Sequence, residues 1–241
     1  MESVILNKIS SLSPLGRKML AVLIDPDFGN NNHLKKLILL CNKKKIDFIL
    51  VGGSILSIGN IKNTILFIKK HSDIPVVIFP GSPGQICSSA DALLLLSLVS
   101  GRNADLLIGK HVEASFELQK SGIELIPTAY MIVDGGRQTT ASYISFTNTL
   151  PADKPMLAAA TALAAQQLGM KLIYLDSGSG ALNPVSVEII NAVKKHTVIP
   201  LIVGGGINTK EKINNAYNAG ADVVVIGSVL EKNPDLLNEL I

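Results

Sequence analysis

Leu201-Ile202-Val203-Gly204-Gly205-Gly206-Ile207-Asn208, followed about twenty residues later by Val223-Val224-Val225-Ile226-Gly227-Ser228, is the stretch that decides how this chain is read. Each part is a short aliphatic run that stops at glycine, and a segment of helical periodicity, Thr209 to Asn218, lies between them. Continuous aliphatic runs of this length suit strands of a parallel sheet that are covered on both faces. Glycine at a strand end lets the backbone approach an anion with no side chain in the way. Two such ends in neighbouring strands, together with a following helix N-terminus, give converging N–H donors for a phosphate. A phosphate group on the ligand is therefore expected, and glycines that only make tight turns are the plainer alternative.

The same alternation extends through the whole chain. Strands are predicted near Met19 to Ile24, Phe48 to Val51, Val76 to Phe79, Ala92 to Leu96, Ile126 to Ile132, Leu172 to Leu175, Leu201 to Val203 and Val223 to Ile226. Helices are predicted at Leu34 to Lys45, Ile61 to His71, Asp105 to Lys120, Lys154 to Leu168, Pro184 to Lys195, Thr209 to Asn218 and from about Asn233, with a leading helix near Ile5 to Leu15 covering the barrel bottom. Eight strands close a barrel, and a (β/α)8 barrel occupies roughly 250 residues as one domain. The 241 residues are accordingly expected to form a single domain, 1–241, of α/β class. One interval breaks the rule. Only Pro80 to Asp91 separates the third and fourth strands, and it holds Pro80, Gly81, Pro83 and Gly84. No helix fits there, so the expected fold is a modified TIM barrel in which irregular chain replaces that helix and leaves an apolar wall open.

Composition narrows the function classes. The chain is 47% hydrophobic and 17% charged, with no Trp, six Phe and four Tyr, so its core is aliphatic. Its apolar runs are far shorter than the ~20 residues needed to span a bilayer. The N-terminus lacks the pattern of a secretory signal. A cytoplasmic protein that touches membrane only transiently is expected. The net charge is +3, and apart from Lys43, Lys44 and Lys45 the basic residues are scattered, which gives no basis for nucleic-acid binding. Cys41 and Cys87 have neither zinc-site spacing nor a disulfide framework.

Three further strand ends carry candidate chemistry. Tyr174-Leu175-Asp176-Ser177-Gly178-Ser179-Gly180 ends the sixth strand, where the Ser177 and Ser179 hydroxyls and the Gly178 and Gly180 N–H groups are donors. Asp176 is placed there to accept a proton, and Tyr174 shares its strand face. Asp25-Pro26-Asp27 ends the first strand and Gly52-Gly53-Ser54 the second. These hard oxygen donors suit Mg2+, acid–base work by the two carboxylates, or a simple turn before Phe28-Gly29-Asn30. The irregular segment Asp134 to Pro155 places Arg137 where it could meet an anion, and Lys110 beside His111 could help hold a diphosphate. His33, His71 and His196 flank elements away from the barrel mouth.

Together, Asp25-Pro26-Asp27, Gly52-Gly53-Ser54, Phe79-Pro80-Gly81-Ser82-Pro83, Tyr174 to Gly180, Gly204 to Gly206 and Gly227-Ser228 resemble the geranylgeranylglyceryl phosphate synthase family with its PcrB-like bacterial relatives. The match runs nearly the whole chain, in order, and the long Asp134 to Pro155 segment is similar to that of the longer family group. The resemblance implies a barrel lacking its third helix, and a Mg2+-dependent prenyltransferase joining a polyprenyl diphosphate, geranylgeranyl by preference, to sn-glycerol 1-phosphate. It implies Mg2+ at Asp25 and Ser54, and glycerol phosphate contacts at Tyr174, Leu175, Asp176, Ser177, Gly178, Ser179, Gly180, Gly205, Gly206, Gly227 and Ser228. It also implies Asp176 as the base, although the family usually has Glu there, and association into a homo-oligomer. Two other readings stand beside it. One is a phosphosugar isomerase with Asp25 and Asp176 as an acid–base pair, and the other is a non-catalytic binder of a phosphorylated lipid precursor.

Overall fold

A computed structural model describes residues 3–27 and 31–241; the turn expected at 28–30 lies outside the described residues. Eight parallel strands close in sequence order: β1 (Met19–Ile24), β2 (Phe48–Val51), β3 (Val76–Ile78), β4 (Ala92–Leu98), β5 (Glu124–Ile132), β6 (Leu172–Asp176), β7 (Leu201–Gly204) and β8 (Val223–Ile226). β8 pairs back onto β1, with Met19 opposite Val223 and Val22 opposite Ile226.

Strand alternation sorts the side chains into two clusters. Met19, Ala21, Phe48, Leu50, Leu94, Ile126, Tyr174, Ile202 and Val225 fill the barrel interior. Their neighbours Leu20, Val22, Ile49, Leu93, Leu175, Val203 and Val224 pack against the surrounding helices. Helix α1 (Val4–Leu12) closes the bottom, with Ile5 and Ile9 in the interior cluster. No residue of α1 caps its own N-terminus. Instead Glu124, at the first position of β5, accepts the Ile5 and Leu6 N–H groups, each at 2.8 Å, and so satisfies two of the orphan donors of that helix end.

A carboxylate also stands just before three of the even strands. Asp47 accepts the Leu20 N–H, Asp91 the Val76 N–H and Asp222 the Leu201 N–H, each reaching to the start of the preceding strand. Asp222 is 2% exposed and is neutralised by Lys194 Nζ at 2.6 Å. These bottom-face acids serve stability, as that face of a barrel generally does.

The outer ring is α2 (Asn31–Lys44), α3 (Ile61–His71), α4 (Lys110–Ser121), α5 (Thr140–Ile144), α6 (Pro155–Gln167), α7 (Val187–His196), α8 (Lys210–Asn218), α9 (Ser228–Lys232) and α10 (Leu237–Leu240). Between β3 and β4 there is only a 3-10 turn, Pro83–Gln85, as the prolines and glycines of that interval require. Several boundaries depart from expectation. The helix expected at Asp105 to Lys120 opens with a π-helical turn, Asp105–Gly109, before α4. The long segment after β5 contains α5, held by a capping box between Thr139 and Ser142. The C-terminal helix expected from Asn233 is a 3-10 turn, Pro234–Leu236, followed by α10, and α9 starts directly after Gly227. Among the described residues, no helix is long and apolar enough to cross a membrane.

Candidate active site

The C-terminal ends of the strands bring the predicted motifs together at one face. Asp176, the last residue of β6, is 7% exposed. Its Oδ1 accepts the Gly178 N–H at 2.7 Å and its Oδ2 accepts the Tyr130 hydroxyl at 2.6 Å. Burial raises its carboxyl above the ordinary range, while those two hydrogen bonds pull it back. The result is a carboxylate that is buried yet fixed in direction, a suitable setting for a general base.

Tyr130 was not among the candidates. Register makes it a partner of this site: it pairs with Tyr174 across β5 and β6, and Phe79, Tyr130 and Tyr174 form an aromatic set with ring centroids 5.1–5.7 Å apart. Burial and the Asp176 charge push both tyrosine hydroxyls well up, so they remain protonated donors. The available sequence signal was a tyrosine at an inward position of a predicted strand.

The glycine strand ends close on Asp176. Gly205 has φ +80°, and a Cβ there would lie 2.6 Å from both Asp176 Oδ1 and the Gly178 nitrogen, so only glycine lets β7 approach the β6 loop. The Ser177 hydroxyl is buried with no partner. Ser179 is exposed, and Gly180, Gly206, Gly227 and Ser228 are half-buried. Leu175 behaves differently from its neighbours. It is fully buried in the cluster facing the helices, so any ligand contact at this position comes from its backbone. The single-residue step from Tyr174 and Asp176 dictates this.

The two acids after β1 have separate roles. The Asp27 carboxylate accepts the N–H groups of Ser57, Ile58 and Gly59, which holds its carboxyl below the ordinary range and fastens the loop after β2. Asp25 is half-buried, and burial raises its carboxyl. Its Oδ1 accepts the Asp27 N–H at 2.9 Å, and its Oδ2 faces Gly53, where an added Cβ would lie 2.8 Å away. No cationic side chain among the described residues pairs with Asp25. Ser54, next to Gly53, is exposed at the same mouth. One open carboxylate oxygen and a hydroxyl fit Mg2+, which takes few protein ligands and completes its shell with water and phosphate oxygens. No group of three or more His, Cys, Asp or Glu converges among the described residues.

Sequence reading also missed Glu231. Its Oε1 accepts the Asp25 N–H at 3.1 Å across the β8–β1 closure, and burial pushes its carboxyl up to about 6. Gln85 was likewise unforeseen. It is 3% exposed, donates to Gly53 O and accepts from Gly81 N–H, joining the loops after β2 and β3.

From this mouth an open-sided apolar groove runs down the flank left bare by the missing helix. Ser54 and Pro80 stand at one end, Leu93 and Leu95 form its floor, and Ala114 and Leu118 of α4 form the far wall. Lys110 and His111 also line it. The Lys110 ammonium is paired with Glu113 at 2.7 Å, and His111 Nε2 lies 3.4 Å from Ser97 Oγ.

The chain has close counterparts in sequence and in fold. Residues 16–241 match the model of the PcrB family. A geranylgeranylglyceryl phosphate synthase of Spirosoma linguale is 53% identical over 225 residues, covering 93% of this chain and 90% of the relative. Another, from Pyrococcus horikoshii, is 42% identical, covering 91% of this chain and 86% of its own. The crystal structure of (S)-3-O-geranylgeranylglyceryl phosphate synthase from Thermoplasma acidophilum, in complex with its substrate sn-glycerol-1-phosphate, superposes with a TM-score of 0.91 at 32% identity, covering 100% of this chain and 96% of that one. Sequence and fold agree along almost the full length, and the chain belongs to the PcrB family.

Proposed function

We propose that this protein is a prenyltransferase that joins a polyprenyl diphosphate, geranylgeranyl diphosphate by preference, to the C3 hydroxyl of sn-glycerol 1-phosphate, forming an ether bond and releasing diphosphate. The observation that carries this reading is a single mouth shared by two unlike surfaces. One is the glycine-rich seat around Asp176, and the other is the apolar groove that begins at Ser54.

The seat suits glycerol phosphate. Backbone N–H groups of Gly180, Gly205, Gly206 and Gly227, with the hydroxyls of Ser177, Ser179 and Ser228, offer donors to the phosphate, the Gly178 N–H holds the Asp176 carboxylate, and Tyr174 and the backbone of Leu175 bound the glycerol. Asp176 takes the C3 hydroxyl proton as that oxygen bonds to C1 of the prenyl group. The C1–O bond to diphosphate breaks, and its electron pair leaves with the diphosphate. Asp25 and Ser54 would hold Mg2+, which would supply positive charge for the leaving diphosphate. Asp176 is one methylene shorter than Glu, and the Tyr130 hydroxyl holds its carboxylate in place.

The prenyl tail lies in the groove, where burial contributes ~0.8 kcal/mol per CH2. A phosphosugar isomerase would share the phosphate seat but has no use for such a groove, and a non-catalytic binder has no use for a buried, directed carboxylate. The protein acts in the cytoplasm, in keeping with two free buried cysteines. It acts as a homo-oligomer, supported by the strongly exposed Phe116, Tyr143 and Phe146.

The deciding experiment incubates the protein with sn-glycerol 1-phosphate and radiolabelled geranylgeranyl diphosphate, with Mg2+ or with EDTA, alongside Asp176→Ala. A Mg2+-dependent prenyl ether that is lost in the variant supports the reading. No product with any prenyl length, despite binding of glycerol phosphate, overturns it.

A further inference from the structure

The loop after β5 and the loop after β6 interlock residue by residue. A Cβ on Gly135 would lie 2.7 Å from Ala181 Cβ, one on Gly178 would lie 2.6 Å from Thr139 Oγ1, and one on Gly180 would lie 2.5 Å from Arg137 Nη2. Leu182 N–H and Asn183 N–H both donate to Gly135 O at 3.0 Å, which fixes the two loops together. Alternate residues 135, 137 and 139 therefore face the β6 loop, and the middle one lays its guanidinium directly on the Gly180 backbone.

That guanidinium is exposed and has no carboxylate partner among the described residues. The donors of the glycine seat are neutral N–H and O–H groups, whereas a phosphate monoester carries close to two negative charges near neutral pH. Lys212, a cation on the β7 side, is bonded to Gly206 O at 3.1 Å and Asn208 Oδ1 at 2.9 Å.

We propose that Arg137 completes the phosphate seat, pairing bidentately with the phosphate of the glycerol phosphate substrate as it lies on Gly180. This assignment rests on the functional reading above. It makes Arg137 a substrate-binding residue contributed by the longer β5 loop, laid over a glycine whose φ of +73° L side chains rarely adopt. Arginine suits the task because its planar fork matches two phosphate oxygens, whereas lysine offers a point charge.

The test uses the full chain with Arg137→Leu, Arg137→Lys and Arg137→Ala, the last with and without added guanidinium. Glycerol phosphate and prenyl diphosphate are varied separately in steady-state assays, and glycerol phosphate binding is measured by calorimetry. Because Arg137 is exposed, thermal unfolding of the variants should match the wild type. In Arg137→Leu, Kd and KM for glycerol phosphate should rise about tenfold to a hundredfold, the range expected for one lost charge-assisted hydrogen-bonded contact. KM for the prenyl diphosphate should not move, lysine should restore part of the affinity, and guanidinium should rescue Arg137→Ala. Unchanged glycerol phosphate affinity, or a loss that falls on the prenyl diphosphate, overturns the assignment while leaving prenyl transfer intact. A wild type that binds no glycerol phosphate overturns the functional reading and the ligand of Arg137 with it.

Discussion

The Tyr130 hydroxyl donates to Asp176 Oδ2 at 2.6 Å, joining residues 46 positions apart through the pairing of β5 with β6. This bond and burial act on Asp176 in opposite directions: burial raises its carboxyl, and the hydroxyl donor lowers it. In Tyr130→Phe the lowering influence is gone, so Asp176 should titrate higher. Because the ionised form is the base, the acid limb of the kcat/KM profile should move to higher pH. The rate at neutral pH should fall about tenfold to a hundredfold, a fraction of the 10²–10⁴ typical of a whole general base. A pH–rate profile checks both, and an acid limb that stays put would separate Tyr130 from catalysis.

Glu231 is held above its ordinary range, at about 6, mainly by burial, with Asp25 adding repulsion. A carboxyl raised on folding binds its proton more tightly in the folded state, so its ionised form destabilises above pH 6, and that cost disappears as pH falls toward the unfolded value. Glu231→Gln keeps an acceptor for the Asp25 N–H without the charge. Its unfolding midpoint should exceed that of the wild type at pH 8, and the difference should vanish by pH 4. Paired melting curves at the two pH values are the measurement.

Asp25 and Asp27 should separate cleanly. Asp27→Ala releases the Ser57, Ile58 and Gly59 amides, so hydrogen exchange at these three positions should accelerate while measurable turnover remains. Asp25→Ala should leave that exchange unchanged and abolish turnover. Equal exchange at Ser57 to Gly59 in Asp27→Ala and wild type would remove Asp27 from its role as loop fastener.

Ala114 lies 6% exposed on the far wall of the groove. Phenylalanine there should displace about four carbons of a long tail, costing about 3 kcal/mol and roughly a hundredfold in kcat/KM at ~0.8 kcal/mol per CH2. A geranyl chain, half as long as geranylgeranyl, should lose much less. Competition between the two diphosphates reads this directly, and an unchanged preference would place the tail elsewhere.

Much of this architecture is a property of the sequence alone. Short aliphatic runs such as Val223–Ile226 can pair only as buried strands, and Pro80, Gly81, Pro83 and Gly84 forbid a helix wherever the chain goes. The glycine ends of β6, β7 and β8 mark a phosphate seat for the same local reason, and the outward face of Leu175 follows from strand period, because its neighbours Tyr174 and Asp176 face in. The meetings of distant side chains belong to the tertiary structure: Tyr130 with Asp176, Glu231 with Asp25, Gln85 with Gly53 and Arg137 with Gly180. Local pattern fixes period and turn, whereas barrel closure and strand register set which residues share a level. Only that register decides that Asp27 fastens a loop while Asp25, two residues earlier, keeps a free oxygen at the mouth.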